Sequence, residues 1–133
     1  MLKSFTIKTK WEGLYNITSF VRQAVIESGV QEGIAVITCP HTTAAIAVTD
    51  NSDIDDGLKD DIMLALQKAF PDRPQFRNDE GNSNSYAKAM CIGNSKTVII
   101  DDNRLVLGSY QGIFLAEFDE PTERTICVKI LKG

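Results

Sequence analysis

His41 is the chain's only histidine, so any imidazole chemistry must pass through it. It stands in Cys39-Pro40-His41-Thr42-Thr43, just past an apolar run that reads as a buried strand. Strand ends hold their backbone firmly while side chains face open space, which suits a functional group. The hydroxyls and N–H groups of Thr42 and Thr43 add donors for an anion. A turn histidine at the surface is the plainer account. A second polar centre runs from Asn78 to Tyr86. It offers either a helix N-terminus to an anion or oxygen ligands to a hard metal. A solvated loop is the alternative. Arg124 lies among Glu117, Asp119, Glu120 and Glu123, and reads as a surface ion pair or as an arginine facing a ligand phosphate.

Other patterns carry less. Asn51-Ser52-Asp53-Ile54-Asp55 begins like a calcium loop, but Asp56 replaces the needed glycine and Ile62 the needed glutamate. The acids between Asp50 and Asp61 read better as complements to a helix dipole and as a solvated face. Cys39, Cys91 and Cys127 form no CxxC pair and read as buried, reduced thiols. No Walker loop, dinucleotide fingerprint, GxSxG elbow or HExxH is present.

The elements that must position these residues are α+β. Alternation predicts a strand over 2–9. A helix follows over 17–28, capped by Asn16 or Thr18, with Phe20, Val21, Ala24 and Val25 on its apolar face and Gly29 after its end. The run 34–39 reads as a strand buried on both faces and 44–48 as another strand. Ile54, Leu58, Ile62, Leu66 and Phe70 recur every four residues and predict a second helix over 53–69. Pro71 and Pro74 confine the next stretch to a loop. Ser83 or Asn82 then caps one or two helical turns. Strands are expected over 97–100, 105–107, 112–118 and 124–131, with a turn at Asp101-Asp102-Asn103. Two main helices among mostly antiparallel or mixed strands predict a β-sandwich-like arrangement in one domain, 1–133.

Composition narrows the function. The 133 residues carry 18 acids and 14 bases, a net charge of −4, which argues against nucleic acid as a partner. A small anionic metabolite remains open, since a few local donors suffice for one. No apolar run approaches the roughly 20 residues of a membrane span, and no secretory signal opens the chain. A cytoplasmic location is the expectation.

Taken in order, Pro40-His41-Thr42-Thr43-Ala44-Ala45-Ile46, Glu80-Gly81-Asn82, Leu105 to Ile113, and Glu117-Phe118-Asp119 with Pro121 and Arg124 resemble the YjbQ family. Its members are described as secondary thiamine-phosphate synthases. The resemblance implies a β-sandwich-like domain, a homotrimer and a three-histidine metal site. The first histidine falls on His41, but the other two fall on Asn78 and Tyr86, which are poor ligands for zinc-like metals. A divalent metal is thus expected only as a weakened cofactor. An oxygen-rich variant would use Glu80 with Asp50 or Asp79 and His41. For catalysis the resemblance singles out His41 and Glu80. For ligand binding it singles out Thr42, Thr43, Asn82, Gln111 and Arg124. Lys88 is a further donor near these motifs. Three functions remain in play: a weak thiamine-phosphate synthase, a non-catalytic binder of a small phosphorylated metabolite, and a structural trimer with a vestigial pocket.

Overall fold

The computed structural model describes residues 1–52 and 57–133. Its elements in chain order are β1 (Leu2–Lys8), β2 (Gly13–Asn16), α1 (Thr18–Ser28), β3 (Gly33–Thr38), β4 (Ala44–Asp50), α2 (Gly57–Ala69), α3 (Ser83–Ile92), β5 (Ser95–Asp101), β6 (Arg104–Leu105), β7 (Gln111–Glu117) and β8 (Glu123–Lys132). The strands form two antiparallel sheets. One has five strands in the order β1-β8-β3-β5-β6, the other three in the order β2-β7-β4. The last strand of the fold, β8, therefore lies inside its sheet, between β1 and β3.

The layers follow from which faces are apolar. Ala35 and Ile37 on β3, Val98 and Ile100 on β5, and Ile126, Val128 and Ile130 on β8 point inward. They meet Val21, Ala24 and Val25 of α1, Ala44 and Ile46 of β4, and Ile113 and Leu115 of β7 in one core. The opposite face of the three-stranded sheet carries Ala45, Ala116 and, just past β7, Phe118, packed against Ala89 and Ile92 of α3 and Met63 and Leu66 of α2. That sheet is thus covered on both sides. Burial on two faces, expected for 34–39, belongs instead to β4 and β7. In β3 only alternate residues are buried, and Ile34 and Val36 are partly open.

Local signals explain most boundaries. Asn16 Oδ1 accepts Thr18 N–H at 3.0 Å and the Thr18 hydroxyl at 2.7 Å, fixing the entry to α1. Gly29 ends it at φ 67°, a left-handed conformation that suits glycine. Phe20 stays half exposed but stacks on Phe5 with ring centroids 4.7 Å apart. Asp102 and Asn103 both have positive φ, the primed turn that matches strand twist, and close the β5–β6 hairpin. The strand expected over 105–107 is regular only at Arg104–Leu105; Val106 N–H still donates to the Ile99 carbonyl at 2.8 Å, and Leu107 N–H then turns back to the Leu105 carbonyl. The predicted start of the second helix, with Asp53, Asp55 and Asp56, lies outside the described residues; α2 is described from Gly57.

Three expectations need correction. β2 went unforeseen, because four residues are too short to show alternation. α3 runs ten residues rather than one or two turns, since Ala87, Lys88, Ala89 and Met90 favour helix and one face packs on the sheet. Of the cysteines only Cys39 is buried, and burial pushes its thiol up to about 11; Cys91 is exposed and Cys127 intermediate, because both lie away from the core face of their elements.

Candidate functional site

The end of β7, the start of β8 and the N-terminal half of α3 enclose a polar cavity of about 860 Å³. The proline loop supplies Asp72, α2 supplies Gln67 and the β1–β2 connection supplies Glu12. Thr43, Glu80, Asn82 and Arg124, four of the residues singled out by sequence, line this space. Asn82 precedes α3. Its Nδ2 donates to Asp119 Oδ2 at 2.7 Å, and its Oδ1 accepts Asn78 Nδ2 at 2.8 Å. Ser85 Oγ donates to the Phe118 carbonyl at 2.5 Å, fastening α3 to the segment after β7.

The charges on the wall are unequal. Arg124 and Glu117 are both buried and form a two-point ion pair: Nε donates to Oε1 at 2.8 Å and Nη2 to Oε2 at 2.5 Å. Thr9 Oγ1 donates to Glu117 Oε1 at 2.8 Å, Asp119 N–H donates to Oε2 at 3.2 Å, and Thr43 Oγ1 accepts from Arg124 Nη2 at 2.8 Å. Burial works against the guanidinium, but its bonds to Glu117 and the charge of Glu117 outweigh this and raise its pKa. Arg124 is thus already matched.

Lys88 is different. It is only 3% exposed, lines the cavity, and donates no hydrogen bond to any described residue. Its ammonium lies 5.7 Å from the Phe118 ring centroid, a weak substitute for a hydrogen-bonding partner. Its ammonium reaches the polar space among the wall carboxylates and keeps its hydrogen-bonding capacity for a group that enters. Because side chains on a helix lean toward its N-terminus, Lys88 leans toward the start of α3. The Glu12 carboxyl is raised above the ordinary carboxylate value by burial; Lys88 opposes this, and Asp119 and Glu117 add to it.

His41 lies elsewhere. With Thr42 and Tyr86 it lines a separate hollow of about 400 Å³ beside Met90, Gly93 and Asn94. Pro40 stops β3 where residue 40 would face Thr125, and His41 Nε2 accepts the stranded Thr125 N–H at 2.9 Å. Burial lowers the His41 pKa, the Arg124 charge adds to this, and Glu117 opposes it, so the neutral ring that can accept is favoured. Gln111 is distant from both spaces, and its Oε1 accepts Gly108 N–H at 2.8 Å. Asn78 is tied to Asn82 and does not line the His41 hollow.

This donor set does not fit a metal. The one imidazole has its Nε2 engaged, and the other two positions hold an amide and a phenol. Asp50 accepts Ser52 N–H at 2.7 Å and the Ser52 hydroxyl at the end of β4. Among the described residues, no three His, Cys, Asp or Glu side chains are arranged to hold an ion. Sequence reasoning passed over Glu12 and Gln67 altogether, and placed Lys88 only as a donor near the matched motifs. Nothing periodic marks Glu12. It is brought to the wall by the fold of the β1–β2 connection.

No helix among the described residues is long and apolar enough to cross a membrane. A family model described as "UPF0047 protein YjbQ-like" matches residues 3–133. A UPF0047 protein of Methanocaldococcus jannaschii is 45% identical over 98% of this chain and 94% of its own length. The UPF0047 protein YugU of Bacillus subtilis is 38% identical over 98% and 99%. Among solved structures, an uncharacterised family protein of Clostridium acetobutylicum superposes with a TM-score of 0.92 at 41% identity, covering 97% and 99% of the two chains. A protein of Sulfolobus solfataricus described as of unknown function gives 0.93 at 29%, covering 100% and 97%.

Proposed function

The chain belongs to the UPF0047 YjbQ-like family, and on that footing we propose that it binds a small phosphorylated metabolite in the 860 Å³ cavity without turning it over. The observation that carries this reading is Lys88, buried, facing the cavity and without a hydrogen-bond acceptor. A phosphate would give the ammonium its partner and would also meet the start of α3, where N–H groups and the helix dipole favour negative charge. Asn82, Thr43 and Glu80 then contact the remainder of the ligand.

Thiamine-phosphate synthesis, which the resemblance implies, releases pyrophosphate, and a departing pyrophosphate needs several positive groups held on it. Among the described residues on the wall, Arg124 is matched to Glu117, which leaves Lys88 facing Glu12, Asp72, Glu80, Asp119 and Glu120. His41 is engaged with Thr125 and lines another hollow. Binding without turnover is therefore favoured over the synthase.

The homotrimer implied by the resemblance also enters as a proposal. The outer face of the five-stranded sheet carries Ile99, Ile34 and Leu131 in one row across β5, β3 and β8, with Leu2 and Val36 beside them. Ile99 and Leu2 are each 60% exposed in a single chain. Assembly would cover this row.

Calorimetric titration with ribose 5-phosphate and with ribose tests the binding reading. The phosphate ester is expected to bind and ribose to bind far more weakly. Lys88→Met should weaken the phosphate ester at least ~10-fold, the loss of a charge-assisted hydrogen bond. Equal affinity in the Lys88→Met variant, with circular dichroism unchanged, would sink the proposal.

A further inference from the structure

A second hollow of about 620 Å³ adjoins the cavity, and the two share Glu12, Gln67 and Lys88 in their walls. Its outer wall is Trp11, the chain's only tryptophan, which is 59% exposed. Although exposed, this indole is held in place. One face stacks on Tyr15, with centroids 5.4 Å apart and planes 28° from parallel. The Tyr15 hydroxyl accepts Lys10 N–H at 2.8 Å and Trp11 N–H at 2.9 Å, and donates to the Trp11 carbonyl at 2.7 Å. The indole also lies close to Gly13: a Cβ there would stand 3.0 Å from Trp11 Cδ1, so a larger residue would push the ring aside by a few tenths of an ångström. Met63 and Leu64 of α2 line the same hollow and supply apolar surface for a flat ring.

We propose that the ligand is a phosphorylated heteroaromatic compound of the nucleoside monophosphate class, with its ring on Trp11 in the smaller hollow and its phosphate on Lys88 at the junction. This rests on the anion-binding reading above and names the ligand's chemistry. The carboxylates Glu12 and Asp119 on the wall can accept hydrogen bonds from sugar hydroxyls and ring amino groups. Stacking on an aromatic face tolerates different bases, so the class is defined by a ring and a phosphate rather than by one base.

Trp11 is its own reporter. Its fluorescence would be followed while the protein is titrated with AMP, UMP, adenosine and ribose 5-phosphate. At least one nucleotide should change the emission and bind ~10-fold tighter than ribose 5-phosphate, as expected for one stacked base. Adenosine should bind more weakly than AMP. Trp11→Ala, followed by calorimetry, should bring the nucleotide down to the affinity of ribose 5-phosphate, and Trp11→Phe should restore part of the loss. Lys88→Met should weaken both phosphates alike. If ribose 5-phosphate binds as tightly as both nucleotides and leaves the emission unchanged, the ring subsite is wrong while the anion site stands. If no phosphate binds the wild type more tightly than the Lys88→Met variant, the anion site falls and takes the ring subsite with it.

Discussion

Replacing Glu117 by leucine would leave the Arg124 guanidinium, 5% exposed, with only the Thr43 hydroxyl as partner. Breaking a buried ion pair from one side costs about 3–5 kcal/mol, because the remaining charge loses its bonded counter-charge while staying largely out of water. A chain of 133 residues has a total stability of about 7–20 kcal/mol at ordinary values per residue. The single change therefore removes a large share. Arg124→Met should cost a similar amount, since Glu117, fully buried, keeps only Thr9 and the Asp119 N–H. The double variant removes both charges and fills the space with apolar volume, and should return to within about 1–2 kcal/mol of wild type. Urea unfolding of the four proteins, read by far-ultraviolet circular dichroism, gives the coupling energy, expected to be at least ~2 kcal/mol. Two single variants that each cost under about 1 kcal/mol and simply add would refute the reasoning. So would an Arg124→Met protein of unchanged stability that no longer binds phosphate, since Arg124 would then belong to the ligand.

His41 makes stability depend on pH. Its folded pKa lies below 6.5, so its contribution is fully present above that value and is lost as pH falls through the lowered one. The wild-type urea midpoint should drop on acidification below about pH 6.5, and His41→Ala should flatten that drop while lowering the midpoint at neutral pH by about 1 kcal/mol in stability. Gly33→Ala would place a Cβ 1.9 Å from the Leu131 carbonyl oxygen, so β3 and β8 must separate there; a loss of about 1–3 kcal/mol is expected in thermal unfolding. Ile99→Lys places a charge in the outer apolar row and should shift the mass measured by light scattering toward a single chain without changing the circular dichroism. An unchanged mass there would rule out that face as the trimer contact.

The fold was legible where a local rule operates. Gly29 and the Asp102-Asn103 turn announce the end of α1 and the β5–β6 hairpin because positive φ is a chemical requirement of a few adjacent atoms, whereas the N-cap of α1 is Ile17, not the expected Asn16 or Thr18, and Asn16 bonds Thr18 from one residue earlier. The Leu58, Ile62, Leu66 repeat announces α2 in the same way. β2 and the full length of α3 were not legible, since both depend on a sheet assembled from distant segments. At the site, Thr43, Glu80, Asn82 and Arg124 were found through the resemblance and do share one cavity. His41 was found as well, but the strand break at Pro40 decides its partner, and only the β3–β8 register reveals it. Trp11 and Glu12 carry no pattern at all. Trp11 is placed by the Tyr15 hydroxyl and Glu12 by the fold of the β1–β2 connection, neither of which any spacing encodes.

The place of β8 governs how the chain must be made. A ribosome releases β1 and β3 long before it delivers Glu123–Lys132, and until then each of the two displays an unpaired edge toward the gap that β8 will fill. Neither edge can be closed by local structure, because the pairing Leu2↔Lys129 spans nearly the whole chain and Gly33↔Lys132 most of it. Closure of the sheet therefore waits until β8 is available, with the slow kinetics of distant contacts. A nascent chain stalled before β8 would offer its strand edges to other copies, which makes this ten-residue strand the step that separates folding from aggregation.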